Sequence, residues 1–351
     1  MRTRSGGAYP KPGSDNDATG NNESLKRRNP FGFGSSRTQD PPRKRFRPGD
    51  RTEFFEWLHD DLVLSILSKL AVSASSPSDL VNVLITCKRF NGLGMNPLVL
   101  SKASKNSLAI RAKNWSGSAH RFLKLCADAG NLEACYTLGM IRFYCLGSRG
   151  SGASLMARAA MSSHPPALYS LAVIQFNGSG GSKSDKDLRA GAALCARAAL
   201  LSHVDALREL GHCLQDGYGV RRSVPDGRRF LLHANARELA AALSHPLSLP
   251  LIGSSSGSAC PLLSDFGCAI PPLDPHPANR FLIDWFSSRR LEPDGLRLCS
   301  HVGCGRPETR RHEFRRCSVC GLVNYCSRAC QALDWKLSHK AQCAPLDRWI
   351  N

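Results

Sequence analysis

Four short pairs of thiol or imidazole residues crowd the end of this chain: Cys299 with Cys304, Cys317 with Cys320, Cys326 with Cys330, and His339 with Cys343. Within each pair two to four residues intervene, a spacing at which one tight turn aims two donors at one metal ion. Eight soft or borderline donors are enough for two tetrahedral Zn²⁺ sites. With all four positions of each site filled by protein, no position is left for an activated water, so the metal is expected to be structural. The last pair is expected on a helix, because Gln331 to Gln342 holds strong helix formers and no Gly or Pro. Residues four apart on a helix share a face. Spacing alone leaves open whether the four pairs are used in sequence or interleaved.

The rest of the composition sets the context for those donors. The chain has 351 residues, 15 cysteines and a formal charge of +19. No run of about 20 apolar residues supports a membrane span. The opening stretch MRTRSGGAYPKPGSDNDATG lacks the apolar core of a secretory signal. A reducing, intracellular setting is therefore expected, with the dense cysteines as metal ligands and the eight between Cys87 and Cys268 as small buried hydrophobes. The charge is spread: +7 over residues 1–51 and +6 over residues 289–351. Seven thiolates and two zinc ions would lower that last figure to +3. A diffuse excess of this kind argues against a single nucleic-acid-binding face.

Several elements must carry this module. Residues 1–51 are rich in Gly, Pro, Ser and charge, and are expected to be disordered. Their clusters Lys26-Arg27-Arg28 and Arg43-Lys44-Arg45-Phe46-Arg47 read as a nuclear import signal, placing the chain in the nucleus as well as, or instead of, the cytoplasm. From Phe54 helical periodicity begins. Leu62, Ile66, Leu67 and Leu70 form one expected stripe, and Leu80, Val83, Leu84, Cys87 and Phe90 a second. A short third element starts at Pro97. Residues 52–105 thus look like a small helical docking element.

Between 115 and 242 an internal repeat emerges. Ala134-Cys-Tyr-Thr-Leu-Gly139, Ala167-Leu-Tyr-Ser-Leu-Ala172 and Ala206-Leu-Arg-Glu-Leu-Gly211 share one pattern, each followed by an aromatic, a glycine and an alanine-rich helix. About three stacked helix pairs are expected, with small residues where helices cross. His164, His203, His212 and His233 are expected at helix ends or on the surface, not on a metal. Residues 243–285, Pro/Ser/Gly-rich and holding Cys260 and Cys268, read as a linker.

These patterns resemble known families. Leu58-His-Asp-Asp-Leu-Val-Leu-Ser-Ile-Leu-Ser-Lys-Leu70, Ser78-Asp-Leu, Thr86-Cys-Lys-Arg-Phe90 and Pro97-Leu-Val resemble an F-box, with His59 where that family usually has Pro. The resemblance implies contact with a Skp-family adaptor and its cullin complex through Leu62, Ile66, Leu67 and Leu70. The repeats resemble Sel-type, tetratricopeptide-like units, which usually present a concave protein-binding face. Residues 296–346 resemble a MYND-type zinc finger, most clearly in Tyr325-Cys326, Cys330-Gln331, Asp334-Trp335, His339-Lys340 and Cys343. That resemblance implies interleaved ligands: Cys299, Cys304, Cys326 and Cys330 on one zinc, Cys317, Cys320, His339 and Cys343 on the other. It also implies a shallow groove for proline-containing peptides, lined by Gln331 and Trp335. The expected fold is mainly α: a short helical F-box, an α-solenoid, and a small two-zinc α+β cross-brace module after a disordered N-terminus. The expected role is recognition of a target protein for ubiquitin transfer, without catalytic residues. A nuclear scaffold that binds proline-containing peptides is the alternative.

Overall fold

The computed structural model describes residues 57–244, 261–267, 270–288 and 295–345. The expected disordered tail with its basic clusters, and Cys260 and Cys268, lie outside the described residues.

The N-terminal unit has four helices: α1 (Asp60–Ser73), α2 (Pro77–Leu84), α3 (Lys88–Gly94) and α4 (Pro97–Leu100). Ser76 and Asp79 form a capping box at the start of α2, and Asp79 also takes the Ser75 amide. Val63, Leu67, Ala71, Leu80, Leu84 and Val99 make its core. The single stripe expected on α1 divides in two. Leu67 is 2% exposed and Leu70 packs on the core, whereas Leu62 and Ile66 stay 52% and 46% exposed. At about 100° per residue, positions 62 and 66 lie together while 63, 67, 70 and 71 face the other side. The second expected stripe also breaks: Thr86 bonds back to the Val83 carbonyl, and Cys87, extended and exposed, caps a new helix by accepting from the Phe90 amide.

The repeats follow. α5 (Gly117–Asp128) precedes three pairs: α6 (Leu132–Tyr144) with α7 (Arg149–Met161), α8 (Pro165–Asn177) with α9 (Leu188–Leu200), and α10 (Val204–Asp216) with α11 (Val224–Leu243). Within the first and last pairs the crossing is glycine on glycine. A Cβ on Gly152 would sit 2.7 Å from the Gly139 carbonyl oxygen, and one on Gly227 2.7 Å from that of Gly211. Asn131, His164 and His203 are equivalent N-caps, accepting from the amides of Ala134, Ala167 and Ala206. His164 and His203 are thus helix-end residues.

The two helices of a pair are buried differently. On α7 only Gly152, Met156, Ala159 and Ala160 are buried, one stripe. On α6 every residue from Ala134 to Ile141 is buried, together with Phe143. A helix buried all round is covered on two sides. One cover is the second helices of the pairs. Part of the other is α12 (Pro277–Ser287), which lies on α6 with Phe281, Leu282 and Trp285 buried. The stretch expected to be a plain linker therefore contributes a core helix. Trp285 follows Leu282 by three residues and Phe281 by four, a helical spacing that the surrounding prolines disguise.

Candidate metal centre and its seat on the repeats

The cysteine-rich end holds a two-stranded antiparallel ribbon, β1 (Arg315–Arg316) with β2 (Asn324–Tyr325), then α13 (Arg328–Asp334), a π-helical turn over Trp335–His339, and α14 (Lys340–Gln342). The expected single helix is thus widened by one turn just before His339, and Cys343 lies at its end. Turns at Gly305 and Gly321, both with positive φ, follow Cys304 and Cys320. Gly305 also lies close against α12: a Cβ there would meet the Ile283 amide nitrogen at 2.7 Å.

The eight donors gather into two groups of four. Cys299, Cys304, Cys326 and Cys330 form one, Cys317, Cys320, His339 and Cys343 the other, each with its donor atoms within 4.8 Å of one another. Tetrahedral Zn–S bonds of about 2.3 Å would set sulfurs roughly 3.8 Å apart. The Sγ atoms of Cys326 lie 3.5 Å from that of Cys304 and 3.6 Å from that of Cys330. In the second group Cys317 Sγ is 3.7 Å from Cys343 Sγ, and Cys320 Sγ 3.6 Å from His339 Nε2. The electrostatics point the same way. Hydrogen bonds from Cys299, Cys326 and Cys330 push the Cys304 thiol well below its usual range, while those with Cys299 and Cys304 push Cys326 and Cys330 well above theirs. Four crowded thiols ionise together only around a cation. The arrangement fits two structural zinc ions.

The module sits on the open side of α8 and α10. Asn177 donates to the Cys326 carbonyl at 2.8 Å, Tyr169 and Ser327 share a hydroxyl contact at 3.1 Å, and Asn279 of α12 donates to the Cys304 carbonyl at 2.7 Å. Buried Arg306 donates to Ser170 at 2.8 Å and to Cys304 Sγ at 3.5 Å, bridging a repeat helix and a thiolate. Buried Glu209 of α10 takes the Ala329 amide at 2.7 Å, at the positive end of α13. Arg328 lies 3.6 Å over the Tyr218 ring and 2.9 Å from Asp216. Lys336 and Arg208 reach the same Glu238 oxygen at 2.8 and 2.7 Å, all three side chains nearly sealed from water. Half of such a network removed leaves a buried charge.

The surface formed by the first helices of the repeats is therefore covered in part, by the module and by α12. Sequence reasoning singled out none of Asn177, Glu209, Arg306, Lys336 and Glu238. The available signal was the unbroken apolarity of α6 and α8, against the single stripe of α7.

Comparison with known proteins follows the same division. The family of plant tetratricopeptide repeats matches residues 106–207, and the MYND finger family matches residues 299–343. F-box protein At1g67340 of Arabidopsis thaliana is 67% identical over 312 residues, covering 85% of this chain and 82% of its own length. This chain belongs to that family of F-box proteins. A second Arabidopsis relative, F-box protein At5g50450, is 66% identical over 297 residues, covering 84% of this chain and 87% of its own. A Sel1 repeat protein from Oxalobacter formigenes is 22% identical, covers 36% of this chain and 92% of its own, and superposes with a TM-score of 0.30.

Within this F-box protein the sites named from sequence fall in different surroundings. Leu62 and Ile66 face outward on the F-box, and Leu67 and Leu70 face its core. On the MYND finger, Gln331 and Trp335 are half-buried. Trp335 is not open along its whole face: its ring packs 5.8 Å from His339 and 6.3 Å from Phe266, just beyond the 3₁₀ turn Pro261–Leu263. Lys336, next to it, donates to the Ile270 carbonyl at 3.1 Å. The four buried cysteines Cys126, Cys135, Cys195 and Cys213 behave as core residues of the repeats.

Proposed function

We propose that the chain is the non-catalytic substrate-recognition subunit of an SCF-type ubiquitin ligase. The F-box docks on a Skp-family adaptor within a cullin complex, and the body of repeats and finger holds the target protein. The observation that carries this reading, beside family membership, is the set of apolar side chains that the F-box leaves outside its own core. Leu62 and Ile66 on α1, Ile85 after α2 and Leu98 on α4 are all exposed, and Leu98 shares a groove with Val72. A folded unit leaves such surface uncovered where a partner takes it. The Pro of the family pattern is His59 here, and it caps α1 by its extended backbone without a side-chain bond.

A pull-down of the zinc-loaded chain with purified adaptor tests the reading. The wild type should retain adaptor, and Leu62→Ala/Ile66→Ala should weaken retention at least about tenfold with unchanged melting of the repeats. Equal retention by both proteins, or retention by neither, would sink it.

A second reading is a nuclear scaffold or transcriptional co-regulator that holds proline-containing peptides through Gln331 and Trp335. It is favoured by the seating of the chain's own Ile270, followed by Pro271 and Pro272, against Lys336. The basic clusters before residue 51 support a nuclear location in either reading.

A further inference from the structure

The MYND finger sorts its charges by depth. Between residues 295 and 345 the acids are Glu308, Glu313 and Asp334, and all three are buried. Each is spent inside: Glu308 on the amides of Arg297 and Phe314, Glu313 on Thr309 and the Arg310 amide, Asp334 on the hydroxyls of Tyr325 and Ser338. The exposed charges of the same stretch, Arg311, Arg315, Arg316 and Lys340 among them, are all cationic. The zinc–thiolate groups carry negative charge, but all their ligands except Cys343 are buried, Cys326 at the floor of the notch described next among them.

One part of that surface is concave. A notch of about 300 Å³ opens at the seam where the finger meets the repeats, lined by Lys186 from the loop before α9, by Tyr218, and by His312 and Arg315 of the finger. Glu209 and Glu313 line it too, but their oxygens already accept the bonds described, and Arg328 is held by Asp216 and Tyr218. Lys186 and Arg315 are different. Neither side chain makes a hydrogen bond or ion pair among the described residues: Lys186 has Arg310 and Lys183 as like-charged neighbours against the one acid Glu313, and Arg315 has Arg328 beside it with Glu209 and Asp216 at longer range. His312 is one of three non-glycine residues with positive φ among the described residues, at 61°. Its Nδ1 faces the guanidinium groups of Arg297 and Arg316, at 3.4 and 3.2 Å. A guanidinium only donates, so this nitrogen accepts, and it holds two further cations at the rim. Strain of this kind persists where the surroundings fix it, commonly at ligand sites.

We propose that this notch binds a single anionic side chain, carboxylate or phosphorylated, on a segment of a partner protein, with Lys186 and Arg315 as its direct partners. Two unpaired cations converging on a concave site offer the anion charge-assisted bonds, and the cationic rim steers an acidic segment toward it. Among the described residues that line the notch, Arg328 covers the Tyr218 ring and Phe176 and Phe314 are buried, which leaves the His312 imidazole as the one exposed ring, a poor platform for the successive stacking that nucleic acids use. The site lies on the finger and repeats, not on the F-box, and stands whether or not an adaptor docks.

The test uses the full, zinc-loaded chain and three fluorescent probes: a ten-residue Gly/Ser peptide bearing glutamates, the same peptide with one phosphoserine in their place, and a short DNA duplex. At least one peptide should bind, more weakly as salt rises. Which peptide binds tighter tells carboxylate from phosphate. Lys186→Ala/Arg315→Ala should weaken it about tenfold, and Lys340→Ala should leave it unchanged. Lys186→Ala alone, remote in sequence from the zinc ligands, should weaken it about threefold and serves if the double variant loses zinc. Binding of neither peptide, equal binding by wild type and Lys186→Ala, or duplex binding tighter than both peptides and lost in the same variants would overturn the proposal.

Discussion

The two donor groups of the finger use nearly the same ligands, yet they answer to different parts of the molecule. The first, Cys299, Cys304, Cys326 and Cys330, is buried throughout, and its surroundings belong to other elements. The Cys326 carbonyl is held by Asn177 of α8, that of Cys304 by Asn279 of α12, and Cys304 Sγ by Arg306, itself bonded to Ser170. The second group has one half-exposed ligand, Cys343, and its neighbours are local: the Tyr325 ring stands 6.3 Å from His339, with the Tyr325 hydroxyl donating to Asp334 at 2.7 Å. A zinc site can staple its own loop, or it can fix that loop to a larger body. The first group does both, the second mainly the former.

The largest expected effect follows from breaking the first group. Cys326→Ser should lose one zinc per chain and loosen the repeats as well as the finger, at about 4 kcal/mol or more. Cys343→Ser should also lose one zinc, but at roughly half that cost and with α8 and α10 as well protected as before. Zinc content by elemental analysis, read beside urea melts, compares the two. Equal loosening of the repeats by both substitutions would erase the distinction.

The smallest effect lies away from both metals, and it sharpens the comparison by testing a seam that needs none. Glu133 in the first turn of α6 faces Nε2 of His164 at 3.1 Å and Nε2 of His276 at 3.2 Å. In each ring Nδ1 already accepts a backbone amide, so Nε2 carries the proton and donates. Burial alone would raise the Glu133 carboxyl, but the hydrogen bonds from His164 and His276 outweigh it and hold the group down to about 2. A lowered carboxyl stabilises the fold fully above its unfolded value near 4.5 and loses that contribution as pH falls toward 2. Glu133→Gln, which keeps an acceptor oxygen but loses the charge, should therefore cost about 1 kcal/mol, equally at pH 7 and pH 5.5. A deficit that already shrinks between those two pH values would contradict the assignment.

Much of this was legible in the sequence, and the omissions have physical reasons. The zinc donors declare themselves because a metal demands fixed residue types at short spacing, and the repeats because small residues recur where helices cross. The inner and outer faces of α1 were harder: Leu62 and Leu67 are equally apolar, and only the packing of α2 and α4 tells which one is covered. The seat of the finger was hidden for a different reason. Asn177 and Cys326 stand 149 residues apart, and Lys336 and Glu238 98 apart, and no local pattern links such pairs. Yet α6 and α8 did carry a trace of it, in apolar runs too complete for helices covered on one side. Phe281, Leu282 and Trp285 carried another, as a helical stripe within proline-rich sequence.

The claim that the repeats and the finger form one core is tested most directly by hydrogen exchange, with and without a zinc chelator. Removing zinc should raise amide exchange across α8 and α10, at Pro165–Asn177 and Val204–Asp216, while α1, Asp60–Ser73, keeps its protection. If chelation raised exchange only within residues 295–345 and left α8 and α10 unchanged, the finger would be an appendage and the account would fail.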